Sequence, residues 1–137
     1  MAKFKGADAH SKRLRNMTLG MRKEAGKLVY TLADMHATEA AISITTGAVS
    51  GANHVPSAPG EPPNNDTGVL ANQIFAERTG PLKAQSVSFA EYAVALEFGT
   101  SRVAERPYMA PAAKKIRRDA QKLADAAMAR VIKGGKL

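Results

Sequence analysis

The sequence predicts an α+β domain: a small, mostly antiparallel sheet flanked by a long N-terminal helix and a C-terminal helix, with a long Pro/Gly-rich loop between. Three observations carry this. Apolar residues recur every seven positions from Leu14 through Met21, Leu28, Met35 and Ile42 to Val49. Prolines and glycines crowd residues 51–68, and a second apolar stripe runs from Met109 to Val131. The length of 137 residues favours one domain spanning 1–137. Within it the patterning assigns a helical segment to 1–50, an extended arm to 51–68, strands with a short turn or helix to 69–106, and the C-terminal helix to 107–133.

In the first segment Met17, Ala25 and Leu32 fill the turns between the heptad positions, which makes a narrow apolar stripe on a helix of several turns. Gly20 and Gly26 each weaken it by about 1 kcal/mol against Ala, and "MTLG" at 17–20 is a candidate break between a short helix and a longer one. Glu24, Thr31 and Thr38 suit a coiled-coil seam poorly, so packing on a sheet is expected. The stretch "GANHVPSAPGEPPNNDTG" then holds four of the seven prolines and three glycines. Pro removes donors and Gly resists order, so it reads as a loop. Loops longer than about 12–15 residues are usually functional or disordered. The prolines favour extended backbone, and contact of this arm with another chain is the expectation.

Val69, Ile74, Phe75, Val87 and Phe89 suggest strands, with "RTGP" at 78–81 as the turn. Residues 92–98 fit either state: Tyr92, Val94, Leu96 and Phe98 alternate as in a strand, while Tyr92, Ala95 and Leu96 share a helical face. Gly99 ends either one. The last segment is the clearest. Met109, Ala112, Ile116, Ala120, Leu123, Ala127 and Val131 step by three or four, with charged residues opposite. Pro107 and Pro111 suit a helix start, and "KGG" at 133–135 stops it. This helix is expected on the sheet with Lys114, Lys115, Arg118 and Lys122 outward, and the N-terminal helix on the other sheet face.

The net charge of +8 is unevenly laid out. Residues 1–27 hold eight Lys/Arg against Asp8 and Glu24; residues 114–137 hold eight against Asp119 and Asp125; the middle is acidic. Basic clusters at Lys3, Lys5, Lys12, Arg13 and Arg15, and at Lys114, Lys115 and Arg118, are candidate contacts for DNA or an acidic partner. They equally suit self-association through unlike faces, or two solvated helix faces. With no cysteine there is neither a disulfide scaffold nor a thiolate metal site. No apolar run reaches the roughly 20 residues of a membrane span, and no secretory signal is expected. His10, His36 and His54 are scattered, and neither a phosphate loop nor a G-x-S-x-G turn occurs. No enzyme activity, metal or cofactor is expected.

Four of the seven aromatics, Phe89, Tyr92, Phe98 and Tyr108, fall in or beside "YAVALEFGTSRVAERPYMAPAA". Glu97 there is followed by Arg102 and Arg106, so its carboxylate is expected to meet one of these guanidinium groups or a neighbour's basic group. Together with the upstream "PGEPPNNDTGVLANQI" this segment resembles the tail-completion (head–tail connector, neck) family of long-tailed double-stranded DNA phages. The resemblance rests on Pro59, Gly60, Pro62, Pro63, Asp66, Thr67, Gly68 and Leu70, then on Tyr92, Ala93, Glu97, Phe98, Gly99, Thr100, Arg106, Pro107 and Tyr108. It covers residues 59–113. The family often carries a basic residue after Leu70, where this chain has Ala71 and Asn72.

The resemblance implies a structural virion protein, similar to tail terminators, assembled in the bacterial cytoplasm as a six-fold ring in the neck. There it caps the tail tube and joins it to the head-side proteins. The motif residues, with Arg102, become candidates for subunit or partner contact. A head-closure adaptor on the capsid side and a small basic DNA-binding protein are the alternative readings.

Overall fold

Helix α1, Ala7–Thr45, runs unbroken for 39 residues, about 58 Å at 1.5 Å per residue. The computed structural model describes residues 5–46, 51–64 and 66–134. The break expected at "MTLG" does not occur. Gly20 keeps its amide and is flanked by strong helix formers, so its propensity cost is absorbed. The buried positions of α1 are Gly20, Gly26, Ala33, Ala37, Ala40 and Ile44. These are not the heptad positions: Leu14, Met21 and Ile42 are exposed, and Leu28 and Met35 are half-buried. Val49 lies outside the described residues.

The small stripe is buried because other chain segments come close to it. A Cβ on Gly26 would stand 2.9 Å from the Pro81 carbonyl oxygen. Arg78 Nη1 donates to the Gly26 carbonyl at 2.9 Å, and its guanidinium lies 5.4 Å from the Tyr30 ring centroid. A side chain at position 26 would push the hairpin away from the helix.

Strands β1 (Ile74–Gly80) and β2 (Lys83–Ser88) form one antiparallel hairpin, with Ile74 opposite Ser88, Phe75 opposite Val87 and Glu77 opposite Gln85. The register slips between Arg78 and Gly80. Arg78, Thr79 and Gly80 therefore belong to the strand, and Pro81 and Leu82 make the turn, later than "RTGP" suggested. Val69 is not in a strand: Val69–Asn72 is the short helix α2. Residues 93–98, open between two states from sequence, form helix α3 (Ala93–Phe98).

Helix α4, Met109–Gly134, lies along α1 and antiparallel to it, with Lys115 paired to Glu39 and Arg130 Nη2 3.0 Å from Glu24 Oε2. The expected packing of this helix on the sheet is thus corrected: α1 contacts both strands on one side and α4 on another. A hairpin of two strands about 4.8 Å apart offers room for one helix about 10 Å across, and α1 takes it. Lys114, Lys115, Arg118 and Lys122 are exposed.

The core gathers Ala37, Ala40 and Ile44 of α1 with Leu70, Ile74, Ala90, Ala93, Tyr108 and Ala112. Tyr108 and Ile44 are its largest fully buried side chains. No helix among the described residues is long and apolar enough to cross a membrane.

Candidate functional site: a loop corner at the start of the C-terminal helix

Helix α4 begins with an unusual donor arrangement. A helix leaves its first four amides without intrahelical acceptors. Here Pro111 has no amide proton to leave. The Glu97 carboxylate takes the other three: Oε2 accepts from Tyr108 N at 2.9 Å and Met109 N at 3.0 Å, and Oε1 accepts from Ala110 N at 2.9 Å. The charge also sits at the positive end of the helix dipole. This corrects the expected pairing of Glu97 with Arg102 or Arg106. Three fixed amides and a dipole compete for the carboxylate against flexible guanidinium groups, and the amides hold it.

The residues between Glu97 and Tyr108 form a tight return that makes this possible. Gly99 has φ +73°, and a Cβ there would lie 3.0 Å from Glu105 N. Both the left-handed backbone and the crowding demand glycine. Thr100 Oγ1 accepts from the amides of Arg102 and Val103 at 3.2 and 3.1 Å, and Thr100 N donates to the Val103 carbonyl. Arg106 N then reaches the Leu96 carbonyl at 2.6 Å. The half-buried Pro107 leads into Tyr108, which is 0% exposed and whose hydroxyl donates to Ser88 Oγ at 2.8 Å. Burial raises the Tyr108 pKa above 10, and the neighbouring Glu97 charge adds to this. Phe98 points outward at 75% exposure.

The Pro/Gly segment returns to this corner. Gly60 N donates to the Glu105 carbonyl at 2.9 Å, beside Pro59 in a turn. Arg106 Nε donates to the Ser57 carbonyl at 3.2 Å. Asp66 Oδ1 accepts from Gly51 N at 3.0 Å and lies 3.9 Å from His54 Nδ1. Asn64 Nδ2 reaches the Val55 carbonyl. Pro62 is half-buried, Pro63 is buried, and Gly68 precedes α2 with φ +83°.

Between the loop, α2 and α3 lies an open cleft of about 290 Å³, lined by His54, Pro56, Ser57, Pro63, Asn64, Asp66, Thr67, Val69, Leu70, Tyr92, Leu96 and Arg106. Pro63, Asp66, Thr67, Tyr92 and Arg106, all singled out in the sequence, thus share one surface. Glu97, Gly99, Thr100, Pro107 and Tyr108 build its frame rather than line it. Arg102 and Phe98 stand exposed beside it. Ser57, Ser88 and the carbonyl of Glu105 were not visible as participants from sequence. Their partners lie far along the chain, and no spacing rule links them. His36 is another such residue: its Nε2 meets the Met109 carbonyl at 2.7 Å across the helix pair.

The basic candidates lie elsewhere. Lys12, Arg13 and Arg15 are exposed on the first turns of α1, Lys5 is exposed in the turn before it, and Lys3 lies outside the described residues. Among the described residues no group of three or more His, Asp or Glu side chains could hold a metal ion. The cleft at this corner is lined by both apolar and polar side chains. Comparison with protein-family models, with curated proteins and with solved structures gives no match.

Proposed function

We propose that this chain is a structural subunit of the phage neck, a tail-completion or tail-terminator protein that works as a ring at the top of the tail tube and joins it to the head side. One observation supports this most. The two motif segments behind the resemblance, 59–70 and 92–108, meet in a single corner fastened by the Gly60–Glu105 and Arg106–Ser57 bonds. Around that corner Val55, Val69, Tyr92, Val94, Phe98 and Val103 are exposed. Apolar side chains clustered on a surface mark contact with another protein. On this reading the loop is an interface element, set against the body by its own hydrogen bonds and used in contact with neighbouring chains.

The hairpin adds to the case. Two strands alone are marginal in water, and here Phe75 and Phe89, with ring centroids 6.0 Å apart, are both exposed. Such a face suits a subunit completed by neighbours. The six-fold count, the position in the virion neck and assembly in the host cytoplasm come from the resemblance. So does the choice of a terminator over a head-closure adaptor.

The test is imaging of the labelled chain in the assembled particle. Label at the junction of head and tail supports the proposal; label along the tail, within the capsid or nowhere on the particle rejects it. A second reading has its own observation: exposed Lys114, Arg117, Arg118 and Lys122 on α4 form a basic face. A free DNA-binding protein would lose duplex affinity steeply with salt, whereas a neck subunit binds duplex weakly at all salt concentrations.

A further inference from the structure

The described part of α4 runs beside the middle of the α1 heptad stripe and stops short of its N-terminal end. Leu28 and Met35 are half-buried where α4 runs alongside, and the Arg130–Glu24 pair marks the last part of α4 against α1. Toward the N-terminus the stripe continues through Met21, Met17 and Leu14. There Met17 is half-buried, while Leu14 is 50% and Met21 47% exposed. Every residue from Ala7 to Arg15 is exposed. About three turns of α1 thus project as a spur with an apolar strip, flanked by Lys12, Arg13, Arg15 and Arg22.

The complementary surface is at the other end of the same molecule. Leu70, Ala93 and Tyr108 pack around Ile44, near the C-terminal end of α1, so the cleft and its exposed apolar rim lie there. That corner carries exposed Glu61, Asp66, Glu91 and Glu105, with Arg102 as the exposed cation. Positions 14 and 42 are about 42 Å apart along a continuous helix, so a spur cannot reach the corner of its own chain. Pairing of two spurs would bring like charges together, and the outer face of α4 is also basic.

We propose that the α1 spur of one copy docks, head to tail, on the acidic apolar corner of a second copy. The apolar strip lies in the cleft and the spur's guanidinium groups face the corner's carboxylates. The inference rests on the ring-subunit reading and gives that ring its contact. Two unlike surfaces on one subunit build a chain of subunits that closes when the rotation allows.

The experiment measures the mass of the full chain by light scattering for the wild type, R13E/R15E, E91K/E105K and an equal mixture of the two variants. All four substituted residues are exposed. Each variant alone is expected to associate at least about tenfold more weakly, as loss of close charge pairs does. The mixture is expected to assemble, because each reversed surface then meets its complement. Leu14→Gln keeps helix propensity and charge and is expected to weaken association likewise, which covers the case of a charge variant that folds poorly. Variants that assemble as the wild type does, or a mixture that stays dissociated, overturn the contact and leave the ring reading standing. A wild type that is monomeric at every concentration overturns both. Loss of duplex binding by R13E/R15E with unchanged assembly assigns the spur to DNA and overturns the docking.

Discussion

Removing the Glu97 carboxylate tests how the corner is held together. In Glu97→Ala the amides of Tyr108, Met109 and Ala110 lose their acceptors, and Pro111 offers no compensation. Loss of a helix cap costs about 1 kcal/mol, and loss of a carboxylate at the dipole's positive end about another 1 kcal/mol. Partly buried amides left without acceptors add about 1 kcal/mol more. The sum of roughly 3 kcal/mol corresponds to a fall in Tm of about 10 °C for a chain of this size. Glu97→Gln retains one acceptor oxygen but turns an amino group toward donors, so about half to two thirds of that loss is expected. Thermal unfolding followed by circular dichroism reads both variants. Arg102→Ala serves as the control, because Arg102 does not hold the carboxylate, and a change within about 0.5 kcal/mol is expected there. If both Glu97 variants melt with the wild type, or if Arg102→Ala melts as early as Glu97→Ala, the account of the helix cap is wrong.

Three further outcomes follow from the packing. Gly26→Ala gains about 1 kcal/mol in helix propensity. It nonetheless destabilises by about 1–3 kcal/mol in urea unfolding, because the new methyl meets the Pro81 carbonyl; a stabilised variant contradicts the close approach. Tyr108→Phe costs about 1 kcal/mol near neutral pH through the lost bond to Ser88. The Tyr108 pKa is raised above 10 in the fold, so its contribution is full below pH 10 and is lost as pH rises through the folded value. The gap between wild type and variant should therefore narrow above pH 10, and a gap that widens there refutes the assignment. Arg106→Ala releases the Ser57 carbonyl, and limited proteolysis is expected to cut at 56–60 several-fold faster than in the wild type; equal rates place the fastening of the loop elsewhere.

The α+β class, the two bounding helices and the hairpin were legible because each rests on local periodicity. The apolar stripe of α4 predicted its buried side at Ala112, Ala127 and Val131. For α1 the larger side chains drew attention to the heptad, while the tightest packing uses Gly26, Ala33, Ala37 and Ala40. Small residues carry little hydropathy signal, and what buries them is close backbone approach. The layer order was misread for a related reason: periodicity reports that a helix has a buried side but not what covers it. At the corner, sequence drew attention to Glu97 and Gly99. Within the chain the Glu97 carboxylate meets neither Arg102 nor Arg106, because the competing donors are backbone amides, which every residue but proline carries. Ser57 and Ser88 were missed because their contacts span 49 and 20 residues and nothing local marks them.

The most direct test of the central claim is electron microscopy of the native assembly, read for its symmetry and subunit contacts. The account predicts a closed ring of identical chains, six-fold by resemblance, with the 51–68 loop and the 97–108 segment in the contacts between chains. A monomer, or a two-fold dimer burying the same patch on both copies, contradicts it.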